Sequence, residues 1–189
     1  MMKKSYSYDD LIRIYEDARS RASSFNNIPA DLFLTKPGYK SWSIAEICSH
    51  IVQFNELYLE EMNAALENSK KTEDPGKSFT PGFLARKYAG HLEPPYKFKL
   101  KTIKPFYPDS AEELTEQSET VRKLTSVQDK TLNFLRSCKS DGIDADRTKG
   151  RNPVLKFLPM SLAEFLILMD AHQRRHFWQI EQTEKRLAK

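Results

Sequence analysis

The sequence predicts an all-α fold, a four-helix bundle with a long crossover between the second and third helices. Three observations favour it. Four segments place apolar residues at alternating spacings of three and four, and three of these segments begin with Ser and carry Glu three positions later. The stretch between the second and third segments holds six of the ten prolines. Apolar residues at such spacings form one face of a helix, which must be buried against other helices.

The first predicted helix covers residues 7–26, and the second covers residues 43–67. The apolar face of the first is formed by Tyr8, Leu11, Tyr15, Ala18, Ala22 and Phe25. The apolar face of the second is formed by Ile44, Ile47, Ile51, Phe54 and Tyr58. The second opens on S-I-A-E, in which Ser43 as N-cap and Glu46 at N3 satisfy first-turn N–H groups reciprocally. Its start is therefore better defined than its end.

The third predicted helix covers residues 110–138, and the fourth covers residues 161–187. The same capping motif opens both, as S-A-E-E and S-L-A-E. The apolar face of the third is formed by Leu114, Val121, Leu124, Leu132 and Leu135. The face of the fourth contains Leu162, Phe165, Met169, His172, His176 and Ile180. The last helix thus presents two histidines on its inward side.

The connections also bear on the topology. Proline density in segment 68–109 argues against long regular structure, although F-L-A-R-K-Y-A (83–89) suits a short helix. Antiparallel neighbours need only a short turn, so this length predicts a crossover with the second and third helices parallel. The loop before the fourth helix is long and polar. We expect a single domain over residues 1–189, a length that can bury one core.

Composition excludes several classes of partner. The net charge is only +4, and the 30% of charged residues are spread along the chain, which gives no argument for nucleic acid or membrane. No apolar run approaches the roughly 20 residues that span a bilayer, and the start lacks the apolar stretch of a signal peptide. Cys48 and Cys138 lie too far apart to indicate a disulfide framework. We therefore expect a cytoplasmic protein that acts on a small molecule.

Two histidines lie four residues apart in D-A-H-Q-R-R-H-F-W-Q-I (170–180). Residues i and i+4 of a helix are about 5–6 Å apart at Cβ, so His172 and His176 are placed to bind one metal ion. A third ligand must come from a facing helix, and His50, on the apolar face of the second predicted helix, is the candidate. His91 lies in the proline-rich connection and lacks this pattern. The alternative is that the inward histidines are hydrogen-bonded core residues.

Two common helical metal motifs are absent. Zincin proteases need H-E-x-x-H, and Gln173 stands where the Glu base would be. Di-iron bundles need E-x-x-H, but the residues three before the histidines are Ile47, Tyr88, Met169 and Gln173. Three imidazoles without a fourth protein ligand leave coordination positions open, which favours a working metal over a structural one. Imidazoles suit Zn, Ni, Cu or Fe, and the sequence does not choose among them.

The chain also resembles a known family. S-W-S-I-A-E-I-C-S-H-I-V-Q (41–53) resembles the second helix of DinB-like proteins, where W-S, a Glu and a His recur at this spacing. S-L-A-E-F-L-I-L-M-D-A-H-Q-R-R-H-F-W-Q-I (161–180) is similar to their last helix, with H-x-x-x-H followed by Q-I. F-K-L-K-T-I-K-P-F-Y-P (98–108) is similar to their middle. The resemblance covers nearly the whole chain and implies an up-down-down-up bundle.

The same resemblance implies a metal triad at His50, His172 and His176. DinB-like proteins include bacillithiol-dependent S-transferases, mycothiol-dependent isomerases and proposed metal-dependent hydrolases, and many form homodimers. We therefore expect a homodimeric metalloenzyme that activates a small-thiol cosubstrate for S-transfer, with a divalent ion, Zn or Ni ahead of Mn or Fe. One alternative is hydrolysis by metal-activated water. Another is a metal-binding stress or interaction protein without turnover.

Other side chains near the triad receive weaker assignments. Gln53 and Gln179 each follow a ligand by three residues, and we expect them to orient an imidazole or bind substrate, with polar interface residues as the alternative. Cys48 lies about 200° around its helix from the nearby histidine, so we expect it in the core. Arg174 and Arg175 are expected to be solvated. The sequence assigns no catalytic residue beyond the metal ligands.

Overall fold

A computed structural model describes residues 3–74, 76–95 and 101–188, and within them the chain is mostly helical. The α-helices are α1 (Tyr8–Ser24), α2 (Ala30–Leu34), α3 (Ile44–Ala65), α4 (Phe83–Leu92), α5 (Gln117–Ser140) and α6 (Leu162–Leu187). One antiparallel pair of short strands is formed by β1 (Lys149–Arg151) and β2 (Pro159–Ser161). The predicted helical class is confirmed, and the small sheet is an addition to it.

The capped starts of α3 and α6 are confirmed. The hydroxyl groups of Ser43 and Ser161 accept from the N3 N–H, and the N3 carboxylates accept from the N-cap N–H. Ser7 forms the same arrangement with Asp10 at the start of α1. These pairs satisfy N–H groups that a helix leaves without partners in its first turn.

The third predicted helix begins later than expected. The residues after Ser110 form a turn, with the Glu113 carboxylate accepting from the Ser110 N–H, and α5 starts only at Gln117. The side-chain amide of Gln117 donates to the carbonyls of Phe25 and Ile28, at 2.8 Å each, just beyond the end of α1. A cap contributes only about 1 kcal/mol. The observed start of α5 at Gln117 coincides with these contacts to the end of α1, which cannot be predicted from the local sequence.

The proline-rich connection contains α4, which extends the short helix predicted at 83–89. It lies along α6 and is attached at both ends. Before its first turn, the Gly82 N–H donates to the Glu164 carboxylate at 3.2 Å, and just after its last turn Glu93 forms an ion pair with Arg174. This connection thereby covers one side of α6, a packing position that the sequence analysis did not predict.

The small sheet lies against α3 and α6. A Cβ at Gly150 in β1 would lie 3.0 Å from the Glu61 carbonyl oxygen and 3.2 Å from the Phe165 ring. Such contacts are too close for a side chain to be accommodated without movement of the α3 backbone. Glycine at this position therefore permits the close approach of the strand.

The core is shared by the long helices. α1 packs on α5, and α3 packs on both α5 and α6. Tyr15 is fully buried and donates its hydroxyl to the Leu166 carbonyl oxygen at 2.9 Å, so even the polar end of this core residue is satisfied. Among the described residues, no helix has the length and apolarity needed to cross a membrane.

Candidate metal centre

The three predicted ligands meet between α3 and α6. His50 lies about two turns into α3, and His172 and His176 lie on successive turns of α6. These residues are 4%, 8% and 7% exposed, respectively. The Nε2 atom of His172 lies 3.2 Å from the Nε2 atoms of both His50 and His176. The sequence-predicted side chains are thus brought together as one buried cluster.

The spacing of these nitrogens fits a metal ion. A tetrahedral Zn²⁺ with Zn–N distances near 2.0–2.1 Å places neighbouring ligand nitrogens about 3.3–3.4 Å apart. Both Nε2–Nε2 distances to His172 are 3.2 Å, and the candidate ligand atoms all lie within 4.8 Å of one another. The ligand atoms therefore surround one point within coordination reach.

Hydrogen bonds on the far side of two rings define their tautomers. The Nδ1–H of His50 donates to the Phe106 carbonyl oxygen at 2.5 Å, and the Nδ1–H of His176 donates to Oε1 of Gln179 at 3.0 Å. Each Nε2 then carries a lone pair facing His172, whose own Nε2 has at most one proton to donate. The cluster has more acceptors than donors, and a cation at its centre would satisfy all three.

The surroundings keep the imidazoles neutral. Burial is the largest cause that lowers the pKa of all three histidines, and His172 and His176 lie well below the ordinary value. The positive charge of Arg175 lowers the pKa of both α6 histidines further. Metal binding requires neutral imidazole, so the site holds its ligands in the competent form at neutral pH.

These shifts predict acid sensitivity of the metal-free protein. Unfolded histidines take up protons near pH 6.5, whereas the buried rings resist protonation, so the unfolded state binds more protons below that pH. The free energy of unfolding should therefore fall as the pH drops below about 6.5, by up to about 1.4 kcal/mol per pH unit for each ring that stays neutral. Urea denaturation between about pH 7.5 and 5.5, with chelator present, measures the slope.

The control for this prediction is His172→Gln, which removes one titrating ring. Its unfolding free energy should depend less steeply on pH than that of the wild type. Equal slopes in the two proteins would show that His172 is protonated alike in the folded and unfolded states.

Aromatic rings form the walls of the cluster. Phe54 stacks on His172 with ring centroids 3.7 Å apart and an interplanar angle of 15°. Trp42 packs against His50 at 5.0 Å, and Phe106 lies 5.0 Å from Phe54. These contacts restrict the orientation of the imidazoles and surround the site with apolar surface.

The other predicted residues fall in different places. Gln179 contacts His176, where the sequence led us to expect an orienting group. Gln53 instead donates its amide to the Asp109 carboxylate at 2.8 Å. Cys48 is fully buried in the core, and burial raises the pKa of its thiol. The protein's own nearby thiol is therefore a core residue, as expected.

The expectation of two solvated arginines is wrong. Arg175 is only 6% exposed. Arg174 is hydrogen-bonded to Asp170 at 2.8 Å and also forms an ion pair with Glu93, just after α4. The ion pair with Glu93 shows that the connection around α4 partly covers a position that looks solvent-facing on an isolated α6.

Sequence reasoning missed the partner of His50. The group that accepts from this ring is a backbone carbonyl, that of Phe106, and every residue has one, so no residue type signals it. The similarity of segment 98–108 to the middle of the DinB-like family pointed to the region but not to the contact.

Neither the curated proteins nor the solved structures with which the chain was compared gave a match. A family comparison did: residues 14–180 match the DinB superfamily. This match spans most of the chain, from α1 to α6, and includes all three clustered histidines. The chain therefore belongs to the DinB superfamily.

Proposed function

We propose that the protein is a metal-dependent enzyme that transfers a small thiol to an electrophile, with His50, His172 and His176 as metal ligands. The observation that carries the proposal is the composition of the cluster, in which the described ligand candidates are histidines alone. Neutral imidazoles leave the full charge of a divalent ion uncompensated. A metal held there supplies a Lewis acid that lowers the pKa of a thiol.

The surrounding residues favour an anionic nucleophile. Phe106 and Gln179 hold two of the imidazoles with Nε2 directed inward. The aromatic walls surround the cluster with apolar surface, and electrostatic attraction is stronger in a medium of low dielectric constant. Buried Arg175, whose positive charge acts on His172 and His176, adds to the preference for a thiolate.

The polar contacts favour thiol transfer over hydrolysis. Hydrolases commonly place a general base within hydrogen-bond reach of water. Among the described residues, the hydrogen-bonding partners of the histidines outside the cluster are a carbonyl and an amide. The neighbouring Asp109 carboxylate is already bonded to Ser49 and Gln53. A free thiol loses its proton to solvent near pH 8.5, whereas water has a pKa of about 15.7, so a thiol depends less than water on a neighbouring base.

A second candidate is a metal-binding protein without turnover. Its support is the burial of the cluster, since none of the three histidines is more than 8% exposed. A substrate must reach the open coordination positions, whereas a stored or structural ion needs no such access. The two candidates therefore differ in whether a small thiol enters the site.

Cobalt substitution tests the proposal directly. Metal-free protein loaded with Co²⁺ should develop thiolate-to-cobalt charge-transfer absorption when a small thiol such as cysteine is added. The apparent pKa of the bound thiol, from titration of this band, should lie below the ordinary value of about 8.5. His176→Ala, mixed with the same ion and thiol, is the control and should not give the band.

Turnover is then measured as metal-dependent consumption of the thiol with an aromatic chloride electrophile. Cobalt bound by the histidines without any thiolate band would overturn thiol transfer. A thiolate band without consumption across several thiols and electrophiles would support the binding protein instead.

We also infer the finer topology, an up-down-down-up four-helix bundle of α1, α3, α5 and α6 in a single domain over residues 1–189. Two contacts support α1 and α6 running in the same direction: Tyr15 with Leu166, and Arg21 with Glu181. Two others support α3 running against α6: His50 with His176, and Tyr58 with Phe165. Arg19–Asp129 and Gln117–Phe25 support α5 running against α1. One continuous buried cluster supports the single domain.

A further inference from the structure

The segment that precedes α5 is attached to α3 by the side chain of Asp109. The Ser49 hydroxyl donates to Oδ2 of Asp109 at 3.0 Å, and the Gln53 amide donates to Oδ1 at 2.8 Å. The backbone N–H of Asp109 donates in turn to the Ser49 hydroxyl oxygen at 3.0 Å. Both oxygens of the carboxylate are therefore used, and both partners lie on α3.

These attachment points surround one metal-ligand candidate. Ser49 immediately precedes His50 on α3, and Gln53 follows it by three residues and so lies next to it on the helix surface. Phe106, three residues before Asp109, accepts the hydrogen bond from Nδ1 of His50. Three residue steps span at most about 10 Å, so fixing Asp109 closely limits where the Phe106 carbonyl can lie.

We propose that Asp109 is a positioning residue for His50. By holding the segment on Ser49 and Gln53, it keeps the Phe106 carbonyl on Nδ1 and so maintains the tautomer whose Nε2 faces the other two histidines. The part of this inference that concerns metal affinity rests on the proposed function. The part that concerns the tautomer of His50 applies to the metal-free protein as well.

The backbone N–H groups that precede Asp109 do not attach the segment to α3. Pro105 and Pro108 have no N–H to donate, and the N–H groups of Phe106 and Tyr107 bond within the segment, to Ile103 and Lys104. Side-chain bonds from Asp109 are therefore a principal polar attachment of these residues to α3. A neighbour that orients a metal-binding histidine commonly changes metal affinity by about 10- to 100-fold when it is removed.

The first experiment measures the tautomer of His50 in metal-free protein by ¹⁵N NMR of the imidazole nitrogens. The wild type should show His50 protonated at Nδ1. Asp109→Ala should show a mixture of both neutral tautomers, and Asp109→Asn, which keeps one acceptor oxygen, should lie between. Asp146→Ala is the matched control, because this half-buried aspartate also uses both oxygens, to accept from the Thr80 N–H, and it should leave His50 unchanged.

The second experiment measures Co²⁺ affinity by competition with a chelator. Asp109→Ala should bind about 10- to 100-fold more weakly than the wild type, with altered visible absorption, whereas Asp146→Ala should match the wild type.

The outcomes separate the inference from the proposed function. An unchanged His50 tautomer in both Asp109 variants overturns the inference, as does a loss of affinity in Asp146→Ala as large as that in Asp109→Ala. Absence of Co²⁺ binding by the wild type overturns the proposed function, while the tautomer measurement still decides the role of Asp109.

Discussion

Replacing His172 by alanine is expected to abolish metal binding. This ring lies between the other two, with its Nε2 3.2 Å from each of their Nε2 atoms. Without it, two ligands remain on different helices, and two protein ligands seldom hold a divalent ion. Loss of the ion should also remove its stabilisation of the folded state, about 4 kcal/mol where the free metal is a thousandfold above its dissociation constant.

The measurement is metal content by mass spectrometry of protein purified without a histidine tag, with thermal unfolding in the presence and absence of metal. The wild type should carry nearly one ion per chain, and His50→Ala should behave like His172→Ala. His91→Ala is the control, because this exposed histidine on α4 bonds to the Lys87 carbonyl, away from the cluster. Retention of metal by His172→Ala, or its absence from the wild type after dialysis against Zn, Ni and Mn, would contradict the site.

The largest loss of stability is expected for Phe165→Ala. The ring is fully buried, lies edge-on to Tyr58 with centroids 5.7 Å apart, and lies close to Gly150 in β1. Alanine would leave a cavity where α3, α6 and the sheet meet. Removal of a buried phenylalanine ring typically lowers the free energy of unfolding by about 3–5 kcal/mol.

Urea denaturation of metal-free protein measures this change without the contribution of a bound ion. Phe157→Ala is the control, because this phenylalanine lies between the two strands but is 83% exposed. Its substitution should change the unfolding free energy by no more than about 0.5 kcal/mol. Similar effects of the two substitutions would mean that the ring of Phe165 is not packed as described.

The histidine cluster was predictable because residue spacing within each helix determines which way its histidines face. Spacing along α6 places His172 and His176 side by side, and the apolar face of α3 turns His50 inward. The starts of α3 and α6 were predictable for the same reason, since Ser43 and Ser161 each form a capping pair within four residues.

Features that depend on partners distant in the sequence were not predictable. Ser110 has the same capping pair, yet α5 begins at Gln117, which contacts the end of α1 about 90 residues earlier. The sheet escaped notice because three-residue strands are too short to show alternation. The bond from Gln53 to Asp109 was also not predicted, because the position of Asp109 depends on the path of a loop.

The burial of the three imidazoles also bears on kinetics. With each of these histidines no more than 8% exposed, we expect the passage of an ion to require a brief local opening of the packing around the cluster. The dissociation rate is then governed by the frequency of that opening as well as by the strength of the coordinate bonds. The exchange rate of a labelled ion would therefore report how often this packing opens.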